Sequence, residues 1–274
     1  MLKPATPLEI LGHRIVWSFL LVLLMLVALR SRWTWLRAGV FTRKAFPRLL
    51  LAAGLIAVNW LTYIWAVNNG HVVEASVGYF INPLVSLLLG VLVFGERLGT
   101  GGRIGGLLAL LGVLVISWGH WGTLWISLML AFSFAFYGVA KKRAHLTGLQ
   151  GLLVESGLLF LPALGYLGWL AATGQGTFGV GVTHSLLLSV AGIVTVLPLW
   201  LFAIAAPRVP LGVMGILQYV APTMQFLFGI LLFAERVELS YWIGLVGIWI
   251  GSAVYLAFNL RASADRADAP APVR

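Results

Sequence analysis

One pattern occurs twice in this chain: Pro-x4-Leu-x-Gly-x-Leu-x-Phe-x-Glu-Arg. The first copy holds Pro83, Leu88, Gly90, Leu92, Phe94, Glu96 and Arg97. The second, 139 residues on, holds Pro222, Leu227, Gly229, Leu231, Phe233, Glu235 and Arg236. Without a gap, the same offset pairs Ala66 with Ala205, Ile104 with Ile243, Gly105 with Gly244 and Gly112 with Gly251. Seven matches in the 15 positions from 83 to 97 are too many for a chain that is merely rich in Leu and Gly. The sequence is an internal duplication, which restricts it to folds made of two similar halves.

The solvent of those halves is hydrocarbon. Of 274 residues, 61% are hydrophobic and 9% charged, where a soluble domain carries about 25% charged residues. A polytopic membrane protein follows, and a duplication in such a chain suggests a transporter. The 32 glycines suit closely packed membrane helices. With no Cys there are no disulfides, thiolate metal sites or Cys nucleophiles. A net charge of +10 in a bilayer chain reads as a topology signal, so no nucleic-acid partner is expected. The first apolar run, Ile15 to Leu29, ends in Arg30-Ser31-Arg32 without a small-residue cleavage site, so it stays in the membrane.

A bilayer takes about 20 apolar residues per helix. Reading between charge clusters and Gly/Pro breaks gives nine transmembrane helices, near 13–30, 47–67, 72–94, 103–119, 121–140, 150–171, 184–206, 211–233 and 241–259. Alternating them with the C-terminus in the cytoplasm puts 15 of the 18 Lys and Arg inside, leaving Lys3, Arg14 and Arg236 outside. The repeat offset spans an odd number of crossings, so the two copies run in opposite directions: an all-α, inverted-repeat bundle. The expected divisions are a first repeat at 1–119, a second at 120–260 and a disordered cytoplasmic tail at 261–274, rich in Ala, Pro, Asp and Arg. Under the offset, the helix at 121–140 has no partner in the first half. The expectation is a ten-helix fold whose first helix is missing, either through a truncated or misassigned start, which is favoured because the missing piece is one whole helix, or through loss of that helix.

Polar residues on these helices are the candidates for work. Ser76, Tyr79, Asn82, Ser86 and Gly90 form one stripe, and their +139 partners are Gly215, Gln218, Ala221, Gln225 and Gly229. Pro83 and Pro222 interrupt both stripes, freeing backbone carbonyls that a cavity or a neighbour must satisfy. Tyr79, Asn82, Gln218 and Gln225 are therefore expected to line a pore; the competing reading is interhelical hydrogen bonding in a packed bundle. Asn59, Trp60 and Tyr63 on the second span suit an amphipathic organic solute, or else simple packing. Glu155, Glu74 and Arg14 are ionisable groups in or at the membrane, candidates for coupling transport to protons, with snorkelling as the alternative. Glu96-Arg97 and Glu235-Arg236 end their helices and read as structural ion pairs or anchors. His71, His120 and His184 fall at loop edges and read as solvated. Gly101-x3-Gly105, Gly102-x3-Gly106 and Gly247-x3-Gly251 are close-packing motifs serving the fold or a homodimer. No phosphate loop, HExxH or CxxC is present, so no cofactor or metal is expected and no enzyme is indicated.

Several of these strings resemble a known family. They are Glu9-Ile-Leu-x-His13-Arg14-x-x-Trp17-Ser18, Asn59-Trp60 through Asn68-Asn69, Glu74-Ala-Ser-x-Gly-Tyr79-Phe-Ile-Asn82-Pro83 and Gly95-Glu96-Arg97. Ala131-Phe-Ser-Phe-Ala-Phe-Tyr137-Gly and Gln218-Tyr219-x-x-Pro222-Thr223 continue the match. Together they look like the RarD-type permeases, in the EamA-like branch of the drug/metabolite transporter superfamily, over residues 8–260. The resemblance implies a ten-helix inverted-repeat transporter of a bacterial inner membrane that exports metabolites or drugs, with a family label tied to chloramphenicol sensitivity. The functional expectation is a secondary transporter of a small organic solute by alternating access. Its rivals are a non-transporting membrane scaffold or partner subunit, and a lipid-acting membrane enzyme, for which no interfacial His/Asp/Glu cluster is present.

Overall fold

Why these residues form helices is visible at their starts. Thr6 accepts a hydrogen bond from the Glu9 amide at 3.2 Å, and Pro7 opens helix α1, Pro7–Ala28, where its missing N–H costs nothing. The helix thus starts six residues before the apolar run at 13, because the cap and proline fix it ahead of the membrane-like composition. Thr147 and Gln150 form a reciprocal capping box at the head of α6, Gly148–Ala172. The computed structural model describes residues 2, 4–95, 99–118, 121–142, 146–205 and 211–267. The remaining helices are α2 Ala45–Asn68, α3 Val72–Phe94, α4 Thr100–Ser117, α5 Trp121–Lys142, α7 Val182–Ala205, α8 Leu211–Leu231 and α9 Leu239–Ala267.

Nine α-helices, with one short π-helical turn at Leu36–Val40 where a loop was expected, make the chain all-α among the described residues. Seven are long and apolar enough to cross a bilayer; Thr100–Ile116 of α4 and Val220–Leu231 of α8 are apolar but shorter. Pro83 and Pro222 lie inside helices that continue past them. Helix α9 runs to Ala267, into the segment expected to be irregular, because the Ala-rich stretch from Ala262 keeps good helix propensity. Residues 268–274 lie outside the described residues.

The compact bodies do not follow the sequence halves. Unit 1 takes residues 1–69 and 136–208, hence α1, α2, α6, α7 and the end of α5. Unit 2 takes 70–135 and 209–274, hence α3, α4, α8, α9 and the start of α5. Each unit therefore pairs helices related by the 139-residue offset: α1 with α6 in unit 1, and α3 with α8 and α4 with α9 in unit 2.

In unit 2 this pairing is reciprocal. A Cβ placed on Gly105 would lie 2.5 Å from the Gly251 carbonyl oxygen, and one on Gly251 would lie 2.6 Å from that of Gly105. Gly112 and Gly244 repeat the arrangement at 2.4 and 2.5 Å. The offset converts the first pair into the second, so the seam has the symmetry of the duplication. Because 105 meets 251 while 112 meets 244, α4 and α9 run antiparallel, as an inverted repeat requires. Gly101 packs on Phe258 and Gly247 on Gly112. These glycines are occupied inside the unit, where direct backbone contact drives membrane-helix association.

In unit 1, α1 and α6 also run antiparallel: Gly12 packs on Leu167 and Gly157 on Phe19. The core there includes Ile10, Val22, Ile56, Trp60, Leu152 and Leu188. Leu24 at 65% exposure and Leu161 at 73% would be a liability in water but are ordinary against lipid.

Candidate functional site

Unit 1 buries three polar arrangements. In the first, α1 places the Arg14 guanidinium 4.4 Å from the centroid of Trp60 on α2. Such stacking holds a cation against an apolar wall. Tyr63, almost a turn further along α2, lies in the field of the same guanidinium, and Asn59 is buried beside Trp60. Three expected site residues and one coupling candidate thus meet on α1 and α2.

The second arrangement surrounds Glu155, seven residues into α6 and so about 10 Å along it. Its carboxylate is buried, with Lys141 Nζ of α5 at 3.2 Å from Oε1 and 3.4 Å from Oε2. The Tyr137 hydroxyl donates to Oε2 at 2.9 Å, and Lys141 donates to that hydroxyl. A carboxylate expected to be costly if unpaired is compensated by a cation and a hydroxyl. Lys141 was not singled out from sequence and Tyr137 entered only within the string that begins at Ala131, although the two are spaced i, i+4 on one helix face.

The third lies at the start of α1. Glu9, 1% exposed, accepts from the Thr177 backbone N–H at 2.6 Å and from its hydroxyl at 3.0 Å through the one oxygen, Oε1. Thr177 Oγ1 is also 2.8 Å from His184 Nε2. His13, one helical turn beyond Glu9, stacks on Phe178 with centroids 4.8 Å apart. His184, expected to be solvated, is half-buried and held by Thr177, because the α6–α7 connection folds back over the head of α1. His120 lies outside the described residues.

Unit 2 carries the remaining candidates. Tyr79 is half-buried and meets Phe134 edge-on at 6.5 Å. Asn82 Oδ1 accepts from Ser86 Oγ at 3.5 Å, a long contact. Ser76, by contrast, is fully buried and bonds the Val73 carbonyl, so the stripe's polar character begins at Tyr79. Gln225 Nε2 is buried without a hydrogen-bond partner among the described residues. The side chain of Gln218, and all of Glu96 and Arg97, lie outside the described residues.

Glu74 sits in the first turn of α3, 16% exposed, with His71 Nδ1 at 3.5 Å. Glu235 accepts from the Val72 and Val73 amides at 2.7 Å each. His71 makes no side-chain cap of its own, so a carboxylate from the second repeat satisfies the open N–H groups of α3. Burial pushes the Glu235 carboxyl up from the ordinary carboxylate range, while those two amides pull it down. Arg236 is exposed. Gly95, which caps α3, and its repeat equivalent Ala234, three residues past the end of α8, both take the left-handed conformation, at φ 66° and 51°.

The EamA-like transporter family matches residues 1–118. Protein RarD of Streptomyces exfoliatus is 49% identical over 276 residues, 99% of this chain and 87% of that protein. Protein RarD of Escherichia coli (strain K12) is 39% identical over 249 residues, 90% of this chain and 84% of that one. A solved crystal structure aligns with a TM-score of 0.61 over 92% of this chain and 88% of that chain at 18% identity, a likeness of fold alone. At such identity over nearly its whole length, this duplicated chain of apolar helices belongs to the RarD-type permeases of the EamA-like family and is a multi-pass membrane transporter.

Proposed function

We propose that the chain is a secondary active transporter that exports a small organic metabolite or drug-like solute by alternating access. It works in a bacterial cell membrane, with its C-terminus in the cytoplasm and the proton gradient as its energy source. The observation that carries this reading is the reciprocal antiparallel contact of α4 with α9, since inverted repeats are how many carriers build two interchangeable states. Solute contacts fall to Asn59, Trp60 and Tyr63, with Arg14, in unit 1, and to Tyr79, Asn82, Gln218 and Gln225 in unit 2. The unsatisfied Gln225 amide suits a group that a solute would complete. Glu155, Glu74 and Arg14 are the coupling candidates that the sequence offers. The test is a flux screen of organic solutes in proteoliposomes, with and without an imposed pH gradient. Tyr79→Ala or Gln218→Ala removes flux at normal membrane abundance; undiminished flux in both variants overturns the assignment.

A further inference from the structure

The acidic side chains differ in what they have left to bind. Glu155 Oε1 is buried without a hydrogen bond among the described residues, but Lys141 Nζ stands 3.2 Å from it and Tyr137 donates to Oε2. Glu235 spends both oxygens on backbone amides, and Glu74 stands partly exposed beside His71. Glu238 is exposed. Glu9 is different. Its carboxyl is 1% exposed, Oε1 takes both bonds from Thr177, and Oε2 is buried with no hydrogen-bond partner among the described residues. An ionised carboxylate held that way forfeits the hydration of half its charge, and a proton on Oε2 relieves it.

A route for that proton is already assembled. The Thr177 hydroxyl has one hydrogen and two neighbours, Glu9 Oε1 at 3.0 Å and His184 Nε2 at 2.8 Å. Ionised Glu9 only accepts, so Thr177 donates to Glu9 and the imidazole donates to Thr177. His184 is half-buried at the head of α7, nearer water than Glu9. A proton arriving on His184 Nδ1 lets the Nε2 proton pass to the Thr177 oxygen as the hydroxyl hydrogen moves to Glu9 Oε1, and a half-turn of the carboxyl then exchanges its oxygens, so that the protonated one takes the bare position. The hydroxyl is restored, the imidazole is neutral again, and one proton has moved inward.

We propose that Glu9, reached through Thr177 and His184, is the proton-binding carboxyl of this transporter. Of the other titratable or charged groups on the elements packed here, His13 on α1 lies in the field of Glu9 and of His184, Arg14 follows it on α1, and Tyr63 on α2 lies in the field of Arg14; α6 from Pro162 to Ala172 carries Tyr166 alone, and α7 carries His184 alone. Ionised Glu9 clamps the α6–α7 connection through the 2.6 Å bond from the Thr177 amide, and protonation weakens that clamp. What the proton drives rests on the transport reading above. Whether Glu9 binds it does not, and the test below needs no solute.

The test uses the full chain in phosphatidylethanolamine/phosphatidylglycerol vesicles, stepped from about pH 8 to about pH 5, a window that covers the ordinary His range and stops above the ordinary Glu value of about 4.3. Infrared difference spectra should show a neutral carboxylic-acid carbonyl component appearing on acidification that is lost in Glu9→Gln and retained in Glu155→Gln and in Glu235→Gln. Hydrogen exchange of the Thr177 amide, corrected for intrinsic rate, should rise about tenfold over the same step in the wild type, the scale of one charge-assisted hydrogen bond. Should Glu9→Gln fail to fold, His184→Gln serves in its place and should shift the midpoint of the band. A component that survives Glu9→Gln, one that vanishes in Glu155→Gln or Glu235→Gln, or a midpoint indifferent to His184→Gln overturns the proposal.

Discussion

Units 1 and 2 are each assembled from helices and their own repeat partners, yet they bury different chemistry. Among the described residues, the buried polar side chains of unit 2 are Ser76, Ser127 and Ser133, and each hydroxyl bonds a nearby backbone carbonyl. Unit 1 buries Glu9, His13, Asn59 and Glu155, and adds half-buried Arg14 and Lys141. The offset places Gly148, Leu152 and Leu153 opposite Glu9, His13 and Arg14, and Val16 opposite Glu155. Symmetry was kept where backbones touch and abandoned where charge is held. Duplication supplied each helix twice within its unit; among the described residues the buried carboxylates and imidazole stand in unit 1, each on one member of a repeat pair, while His71, Glu74 and Glu235 of unit 2 are half-buried.

That contrast can be broken first at the Lys141–Glu155 pair. Lys141→Met strands a buried carboxylate and should lower stability in detergent by about 3 kcal/mol, a value reduced by the 30% exposure of the lysine side chain. Adding Glu155→Leu should recover most of the loss in a thermal-unfolding series. A single variant as stable as wild type would show that unit 1 does not depend on the pair.

The seam of unit 2 should respond next. Gly112→Ala forces a methyl to within 2.4 Å of the Gly244 carbonyl, which is backbone and cannot swing away. The cost should be about 1–3 kcal/mol, and Gly251→Ala, its repeat equivalent, should match it within experimental error. Gly12→Ala in unit 1 meets only the branched end of Leu167, at 3.1 Å, and should cost less. Unequal losses at 112 and 251 would mean that the repeat symmetry of the seam is not energetic.

The smallest effect has the opposite sign. Ala234 holds a left-handed conformation that its repeat partner fills with Gly95. Ala234→Gly should therefore stabilise the chain by about 0.5–1 kcal/mol, read as a rise in unfolding temperature. A loss would mean that the Ala234 methyl makes contacts worth more than the strain.

The spans were legible because hydrocarbon demands long apolar runs, and the glycine seam because its residues recur at a fixed offset. The grouping of Arg14 with Trp60 and Tyr63 was half legible, since Asn59, Trp60 and Tyr63 share one stretch of α2 while Arg14 lies on another helix. Glu155 was visible as an oddity, but Lys141 sat in a charge cluster that reads as a cytoplasmic loop. Glu9 and Thr177 are 168 residues apart, and nothing local to either announces the other. Contacts between side chains on different helices depend on how each helix is rotated about its axis, and hydropathy does not encode that rotation.

The interleaving of the two halves constrains biosynthesis. Helix α4 leaves the ribosome with its close-packing face bare, and α9, the helix that covers it, begins 139 residues later, at Leu239 against Thr100. Unit 1 likewise waits for α6 and α7 before α1 has its partners. Neither unit can reach its final packing until the second copy of the repeat has been translated, so any chaperone or insertase that shields these helices must hold the early ones open across most of the chain's synthesis.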